Sequence, residues 1–302
     1  MGEEPRRGGG RPPPPADRSR RHPGDDPLSE YAIEIQDLSY SYPDGTRALD
    51  GVSFSVERGR SVALLGPNGA GKSTLLLHMN GLLRGDGTVR ILGRKVEEES
   101  LPWVRSRVGM VFQDPDDQLF MPNLREDVAF GPRNLGRAEA EVDRDVSRAL
   151  EAVGLQGLEG KAPHHLSFGQ KKRAALASVL SMRPEVLVMD EPTSNLDPKS
   201  KRTVVSLIRD LCDSGTTIIT ATHDVNIVTL MADEILLLDR RVMGYGPLRE
   251  ILEEREVLEG LGLEVPILVD LFHSLRGCCS HHFHQTPITK DEAVEGLKRI
   301  LG

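Results

Sequence analysis

The run Leu64-Leu65-Gly66-Pro67-Asn68-Gly69-Ala70-Gly71-Lys72-Ser73-Thr74 constrains this chain more than any other segment, because it has the spacing G-x-x-x-x-G-K-S. Ser61 to Leu65 before it reads as a short buried strand, and Lys72 to Leu83 after it reads as a helix. In that setting the glycines let backbone N–H groups curl around an anion, and the helix N-terminus adds partial positive charge. Lys72 then reaches the β- and γ-phosphates of a nucleotide, and Ser73 ligates Mg²⁺. Gly66, Pro67, Asn68, Gly69, Ala70, Gly71 and Thr74 complete the cradle. The segment predicts a nucleoside triphosphate site at the end of a strand.

A second segment, Glu185 to Glu191, reads E-V-L-V-M-D-E. Its apolar run suits a strand buried on both faces of a parallel sheet. It ends in two carboxylates where α/β sheets hold their ligands. Asp190 is the expected Mg²⁺ partner, through water, and Glu191 the expected base for an attacking water. Leu166-Ser167-Phe168-Gly169-Gln170 lies upstream, and Ser194-Asn195-Leu196-Asp197 lies just downstream. His223 follows another apolar strand, Thr217 to Ala221.

Taken in order, these motifs resemble the full set of an ATP-binding-cassette ATPase: phosphate loop, Gln113, L-S-x-G-Q, D-E, S-x-L-D and His223. The resemblance covers roughly residues 32–246. It implies an α/β P-loop NTPase with a parallel core sheet, an antiparallel β subdomain and an inserted helical subdomain. It also assigns roles. Tyr42 stands where the family stacks an aromatic on adenine, a contact that needs only a flat π face; Tyr40 is the rival. Gln113 offers an oxygen to Mg²⁺ or water where the family links nucleotide to transporter. His223 hydrogen-bonds the γ-phosphate. Ser167, Gly169 and Gln170 belong to the pentapeptide that meets ATP held by a second ATPase subunit, so two chains sandwich two ATPs. Asp197 helps position the catalytic parts across that interface. Phe168 replaces the more usual glycine; it keeps its N–H, and the contact survives if φ is negative there.

The chain has 302 residues and a formal net charge of −8. That balance weighs against non-specific nucleic-acid binding, which needs clustered Lys and Arg. Three cysteines, two of them adjacent, make no disulfide framework. No apolar run approaches the ~20 residues needed to span a bilayer, and residues 1–27 lack the apolar core of a signal peptide. A place on the cytoplasmic face of the cell membrane is expected, with other subunits supplying the membrane.

Residues 1–30 are rich in Arg, Gly and Pro and read as a disordered, solvated tail, their six arginines balanced by six acids. Residues 31–246 form the ATPase unit. Alternating apolar positions around the turn Pro43-Asp44-Gly45 predict an antiparallel sheet over 32–60, and residues 61–112 are expected to start the parallel core. Residues 114–180 read as helical, with Val142, Val146, Leu150 and Val153 on one face of a helix ending near Gly154. Glu234 to Tyr245 reads as a closing hairpin. Residues 247–302 form a C-terminal extension. Leu248, Ile251 and Leu252 suit a short helix. Asp291 to Leu301 suits another, with Thr289 as N-cap and Ala293, Leu297, Ile300 and Leu301 on its apolar side.

Val111-Phe112-Gln113-Asp114-Pro115-Asp116-Asp117-Gln118-Leu119-Phe120 resembles the ATPases of energy-coupling-factor importers. With L-S-F-G-Q-K-K-R at Leu166 to Arg173, it is most similar to cobalt and nickel members. The resemblance implies a transmembrane coupling protein docked after Gln113, a substrate-capture membrane protein, and a C-terminal extension that helps the ATPase pair stay together. The same ATPase could serve a vitamin or other micronutrient, because the capture protein chooses the cargo. Relatives in DNA repair or translation carry coiled-coil insertions or two fused units, and this chain has neither. Cys278, Cys279, His281, His282 and His284 are five potential transition-metal ligands in seven residues. No finger spacing fits them, and an exposed loop is the alternative.

Overall fold

Two kinds of strand pattern produce two sheets in a computed structural model, which describes residues 29–276 and 285–301. β1 (Tyr31–Ser41) and β2 (Arg47–Glu57) pair antiparallel around the 43–45 turn. After β3 (Ser61–Leu65) and α1 (Lys72–Met79), the chain adds β4 (Asp86–Ile91) and β5 (Arg94–Lys95) to the same sheet, in the order β2-β1-β4-β5. Residues 86–95 therefore belong to the antiparallel sheet and not to the parallel core expected from 61 onward. The reason is register: Ile33 faces Ile91 and Ile35 faces Val89, so the apolar members of T-V-R-I land on one buried face. The first helix also ends at Met79, short of Leu83. There the chain turns through Gly81, where an added Cβ would lie 2.3 Å from Leu101 Cδ2.

α2 (Leu101–Arg107) and β6 (Val108–Val111) return the chain to the second sheet. Three helices follow: α3 (Leu124–Asn134), α4 (Glu139–Ala152) and α5 (Phe168–Leu180). As expected, Val142, Val146, Leu150 and Val153 are all buried. Asp145 on α4 is buried too and pairs with both Arg137 and Arg183, and Arg137 also donates to the carbonyls of Ser181 and Met182. This cluster ties α4 to the end of α5 and satisfies a buried carboxylate. β7 (Val186–Asp190), α6 (Pro198–Asp213), β8 (Thr217–Ala221), α7 (Val225–Met231) and the hairpin β9 (Glu234–Asp239) and β10 (Arg241–Pro247) complete the core.

The six-stranded sheet has the order β10-β9-β3-β8-β7-β6, parallel except for the β9–β10 hairpin. β3, β7 and β8 are buried at every position. Their alternate residues feed two cores, one on each face of the sheet. Val62, Leu64, Val186 and Val188 pack with α1 and the antiparallel sheet. Ala63, Leu65, Leu187 and Met189 pack with the helical subdomain, α6 and α7. Burial on both faces explains why these strands read as continuous apolar runs.

The C-terminal extension contains α8 (Leu248–Glu253), α9 (Arg255–Gly260), α10 (Ile267–Arg276) and α11 (Lys290–Leu301), of which sequence reading found the first and last. Leu248, Ile251 and Leu252 are buried, and Thr289 Oγ1 accepts from the Glu292 N–H at 3.3 Å, as an N-cap does. Ala293 is buried, but Leu297 is exposed, so the apolar side of α11 is only partly covered. The packing of Ile300 and Leu301 lies outside the described side chains. So do residues 1–28 and the cluster Cys278, Cys279, His281, His282 and His284. Among the described residues, no group of three or more His, Cys, Asp or Glu side chains is arranged to hold a metal ion, and no helix is long and apolar enough to cross a membrane.

Candidate functional site

β3 delivers the chain into the 66–71 loop, and α1 carries it away. Two glycines are required by close backbone approach. A Cβ on Gly66 would lie 2.0 Å from the Leu238 carbonyl oxygen. Gly71, at φ +94, would place one 2.3 Å from the Ala48 carbonyl oxygen. The loop is thus wedged between β2 and the β9–β10 hairpin, and Arg240 N–H donates to the Ala70 carbonyl at 2.8 Å. The free N–H groups of the first turn of α1 open into the loop. Lys72 Nζ donates to the carbonyls of Gly66 (2.7 Å) and Pro67 (2.9 Å). Burial holds its pKa below the ordinary lysine value, against the opposing charges of Glu191 and Asp190.

This loop forms one wall of an open cleft of about 1120 Å³, which also takes in Tyr42, Gln113, Asp190, Glu191 and His223. The parallel strands β3, β7 and β8 all end here, which brings residues more than a hundred positions apart to one place. Asp190 is buried, and its carboxyl pKa is raised, first by that burial and then by the neighbouring Glu191 charge. A hydrogen bond from Ser73 and the charges of Lys72 and Lys172 work the other way. Ser73 hydroxyl, Asp190 carboxylate and the Gln113 amide are hard oxygen donors on one cavity, the chemistry a Mg²⁺ requires. Glu191 leaves β7 in the left-handed region, at φ +48. That turn aims its carboxylate toward β8, where His223 Nδ1 lies 2.7 Å from Oε1 and Thr222 Oγ1 lies 3.4 Å from Oε2.

Tyr42 lines the cleft, is 36% exposed, and is held by a 2.9 Å hydrogen bond between its hydroxyl and Thr74 Oγ1. Tyr40 packs edge-on against His78 and Tyr42 and lies outside the cleft. Ser167, Gly169, Gln170 and Asp197 are not brought to the cleft of their own chain. They cluster instead where two helices begin side by side. Ser167 and Gln170 form a reciprocal cap on α5, with Ser167 N–H donating to Gln170 Oε1 at 2.9 Å. Asp197 caps α6, accepting from the N–H groups of Lys199 and Ser200. Phe168 is the first residue of α5 and is absent from the positive-φ residues, so a side chain is tolerated there.

Sequence reading missed Thr46, Arg47 and Ala48, and also Arg240 and the segment Leu261 to Glu264, which line the same cleft. No local string marks them; strand pairing and the fold-back of the C-terminal extension place them there. That extension is latched to α7 by Ile267 N–H donating to Asn226 Oδ1 at 3.2 Å. The loop after Gln113 is tied to α5. Gln118 accepts from Phe112 N–H and donates to the Ala175 carbonyl, and Lys171 pairs with Asp116 at 2.6 Å.

The family pattern described as ABC transporter matches residues 49–194. The chain is 48% identical over 274 residues to a protein of Methanothermobacter thermautotrophicus named energy-coupling factor transporter ATP-binding protein EcfA. That match covers 89% of this chain and 88% of the relative. Among solved structures, cbiO1 of Clostridium perfringens, part of the ABC transporter complex cbiONQ, is similar with a TM-score of 0.69 at 38% identity. The match covers 82% of this chain and all of that one. A dimeric post-hydrolysis ATP-binding cassette bound to ADP and phosphate is similar at TM-score 0.65 and 26% identity, over 72% of this chain and 99% of its own.

Proposed function

The chain belongs to the ABC transporter family as an ATPase subunit, and on that premise we propose that it powers an energy-coupling-factor importer of cobalt or nickel ions. It is the ATP-binding subunit of an energy-coupling-factor transporter. The observation that carries the reading is the single cleft that gathers the phosphate loop, Asp190 and the Glu191–His223 pair. The metal cargo is supported by the resemblance of Val111 to Phe120 and Leu166 to Arg173 to that branch.

The residues divide the work. Loop N–H groups and Lys72 hold the triphosphate, the ammonium leaving the Gly66 and Pro67 carbonyls for phosphate oxygens. Tyr42 offers its ring to the base. Glu191 accepts a hydrogen bond from the attacking water and orients it. His223, tied to Glu191 through Nδ1, presents Nε2 to the γ-phosphate. Ser73, Gln113 and Asp190 would hold Mg²⁺, which when bound neutralises charge on the β- and γ-oxygens.

A second copy or a related ATPase supplies Ser167, Gly169 and Gln170 to this cleft, and Asp197 stands beside them. Placement of these four away from their own cleft supports a head-to-tail pair. The C-terminal extension, with exposed Ile267, Leu271, Val294 and Leu297, suits a role in holding that pair together. Exposed Phe120 and Phe130, with ring centroids 5.1 Å apart, lie beyond the Gln113 loop and suit the apolar helices of a transmembrane coupling protein. A substrate-capture membrane protein completes the assembly at the cytoplasmic face of the membrane.

Uptake of labelled Ni²⁺ and Co²⁺ in native cells lacking this chain tests the reading. Restoration by wild type and not by Glu191→Gln supports a metal importer. Metal uptake that never depended on the chain removes the cargo. Vitamins and other micronutrients are then sought through the membrane subunit that co-purifies.

A further inference from the structure

We propose that Lys172 is a positioning residue for Glu191, linking the seating of α5 to the carboxylate of the same chain's cleft. The inference rests on the reading of Glu191 as the group that orients the attacking water.

Lys172 lies in the second turn of α5 and is only 5% exposed. A buried ammonium is costly unless its donors are used. Its Nζ is spent on two groups, the backbone carbonyl of Glu191 and Ser194 Oγ, the latter at 2.6 Å. Neither is a carboxylate. The charge is balanced at longer range by Glu191, Asp190 and Asp114, while burial keeps its pKa below the ordinary lysine value. On the other side, the Phe168 ring centroid lies 5.8 Å from Nζ, so an aromatic face covers the cation.

The accepting carbonyl belongs to the residue that needs support. Glu191 adopts φ +48, a conformation that residues with a side chain rarely hold without local restraint. Its carbonyl oxygen receives three donors: the Ser194 N–H at 3.2 Å, the Ser194 hydroxyl at 3.0 Å, and Lys172. Lys172 is the only one of the three that comes from outside the turn. The direction of the Glu191 carboxylate toward His223 follows from that backbone turn. Ser167 and Phe168, at the start of α5, stand where the second subunit's ATP is expected. A shift of α5 on that ATP therefore moves the donor that holds Glu191. A structural filler does not require a charge: a methionine has similar length and would fill the same space.

The test uses the full chain with Mg²⁺-ATP and four variants: Lys172→Met, Lys172→Gln, Glu191→Gln, and Glu191→Gln with Lys172→Met. Turnover, ATP affinity by equilibrium binding, and thermal midpoint are measured for each. The expected result for Lys172→Met is a fall in kcat of about tenfold or more, with ATP affinity changed by less than about twofold. Lys172→Gln, which keeps an N–H donor, recovers part of the loss. Adding Lys172→Met to Glu191→Gln lowers turnover no further, because the two act as one unit. Near-wild-type kcat in Lys172→Met, with Glu191→Gln inactive, overturns the inference and leaves Glu191 in place. Parallel loss of ATP affinity and thermal midpoint in both Lys172 variants shows a structural lysine and also overturns it. Near-wild-type turnover in Glu191→Gln defeats the reading of Glu191 itself. If Lys172→Met does not fold, Ser194→Ala, which removes the other Nζ partner, is held to the same kcat-without-affinity criterion.

Discussion

His223 Nδ1 lies 2.7 Å from Oε1 of Glu191, and the imidazole is 68% exposed while the carboxylate is nearly covered. The two side chains share one hydrogen bond, and His223 lines the same cleft as the 66–71 loop. One side chain thus touches the proposed base and borders the cleft. With Glu191→Gln we expect ATP binding to persist and turnover to fall about 10²-fold or more. An ATP-bound dimer should then accumulate, read by sizing with and without ATP. No ATP-dependent change in size in that variant would sink the sandwich arrangement.

Lys72 folds its ammonium onto two loop carbonyls, and the proposed function has it transfer to phosphate oxygens when nucleotide binds. Lys72→Ala removes the ammonium held at the loop. Hydrolysis should fall below detection, and ATP affinity should weaken by about tenfold or more, which corresponds to ~1.4 kcal/mol. Turnover close to wild type would show that this loop is not the phosphate site.

Asp190 trades stability for chemistry. Its folded pKa is raised above the unfolded value of 3.8, chiefly by burial. The stability it contributes is therefore complete below the unfolded pKa and is lost as pH rises through the folded one. Asp190→Asn has no such loss. Without nucleotide or Mg²⁺, the variant should melt above wild type at pH 7, with the gap narrowing as pH falls toward the ordinary carboxylate range. It should also lose Mg²⁺-dependent turnover. A variant that melts below wild type at pH 7 contradicts this account.

Gly169 sits in the first turn of α5 with just enough room for contact. An added Cβ would lie 3.5 Å from Leu196 Cδ2 and Ser200 Oγ, and 3.9 Å from Asp197 Oδ2. A Cβ is accommodated there, and an aspartate brings a second negative charge beside Asp197, at a face expected to meet a γ-phosphate. Gly169→Asp should leave ATP binding to the single chain within about twofold of wild type while abolishing the ATP-dependent dimer. Dimerisation undisturbed by that charge would mean the pentapeptide does not face nucleotide.

What the amino-acid sequence determined by itself was carried by short windows. The phosphate loop, the buried strands Ser61–Leu65, Val186–Asp190 and Thr217–Ala221, the cap at Thr289 and the hairpin near 240 are local, because strand burial, turns and caps depend on residues a few positions apart. The tertiary structure alone decided the rest. It moved residues 86–95 into the antiparallel sheet by pairing Ile91 with Ile33. It brought Thr46, Arg240 and Leu261 to that cleft, and it set Lys172 beneath the Glu191 carbonyl. Each of these depends on register between distant strands or on which face of a helix meets a neighbour. Such choices are settled by packing the whole core at once, and no local spacing of residue types encodes them.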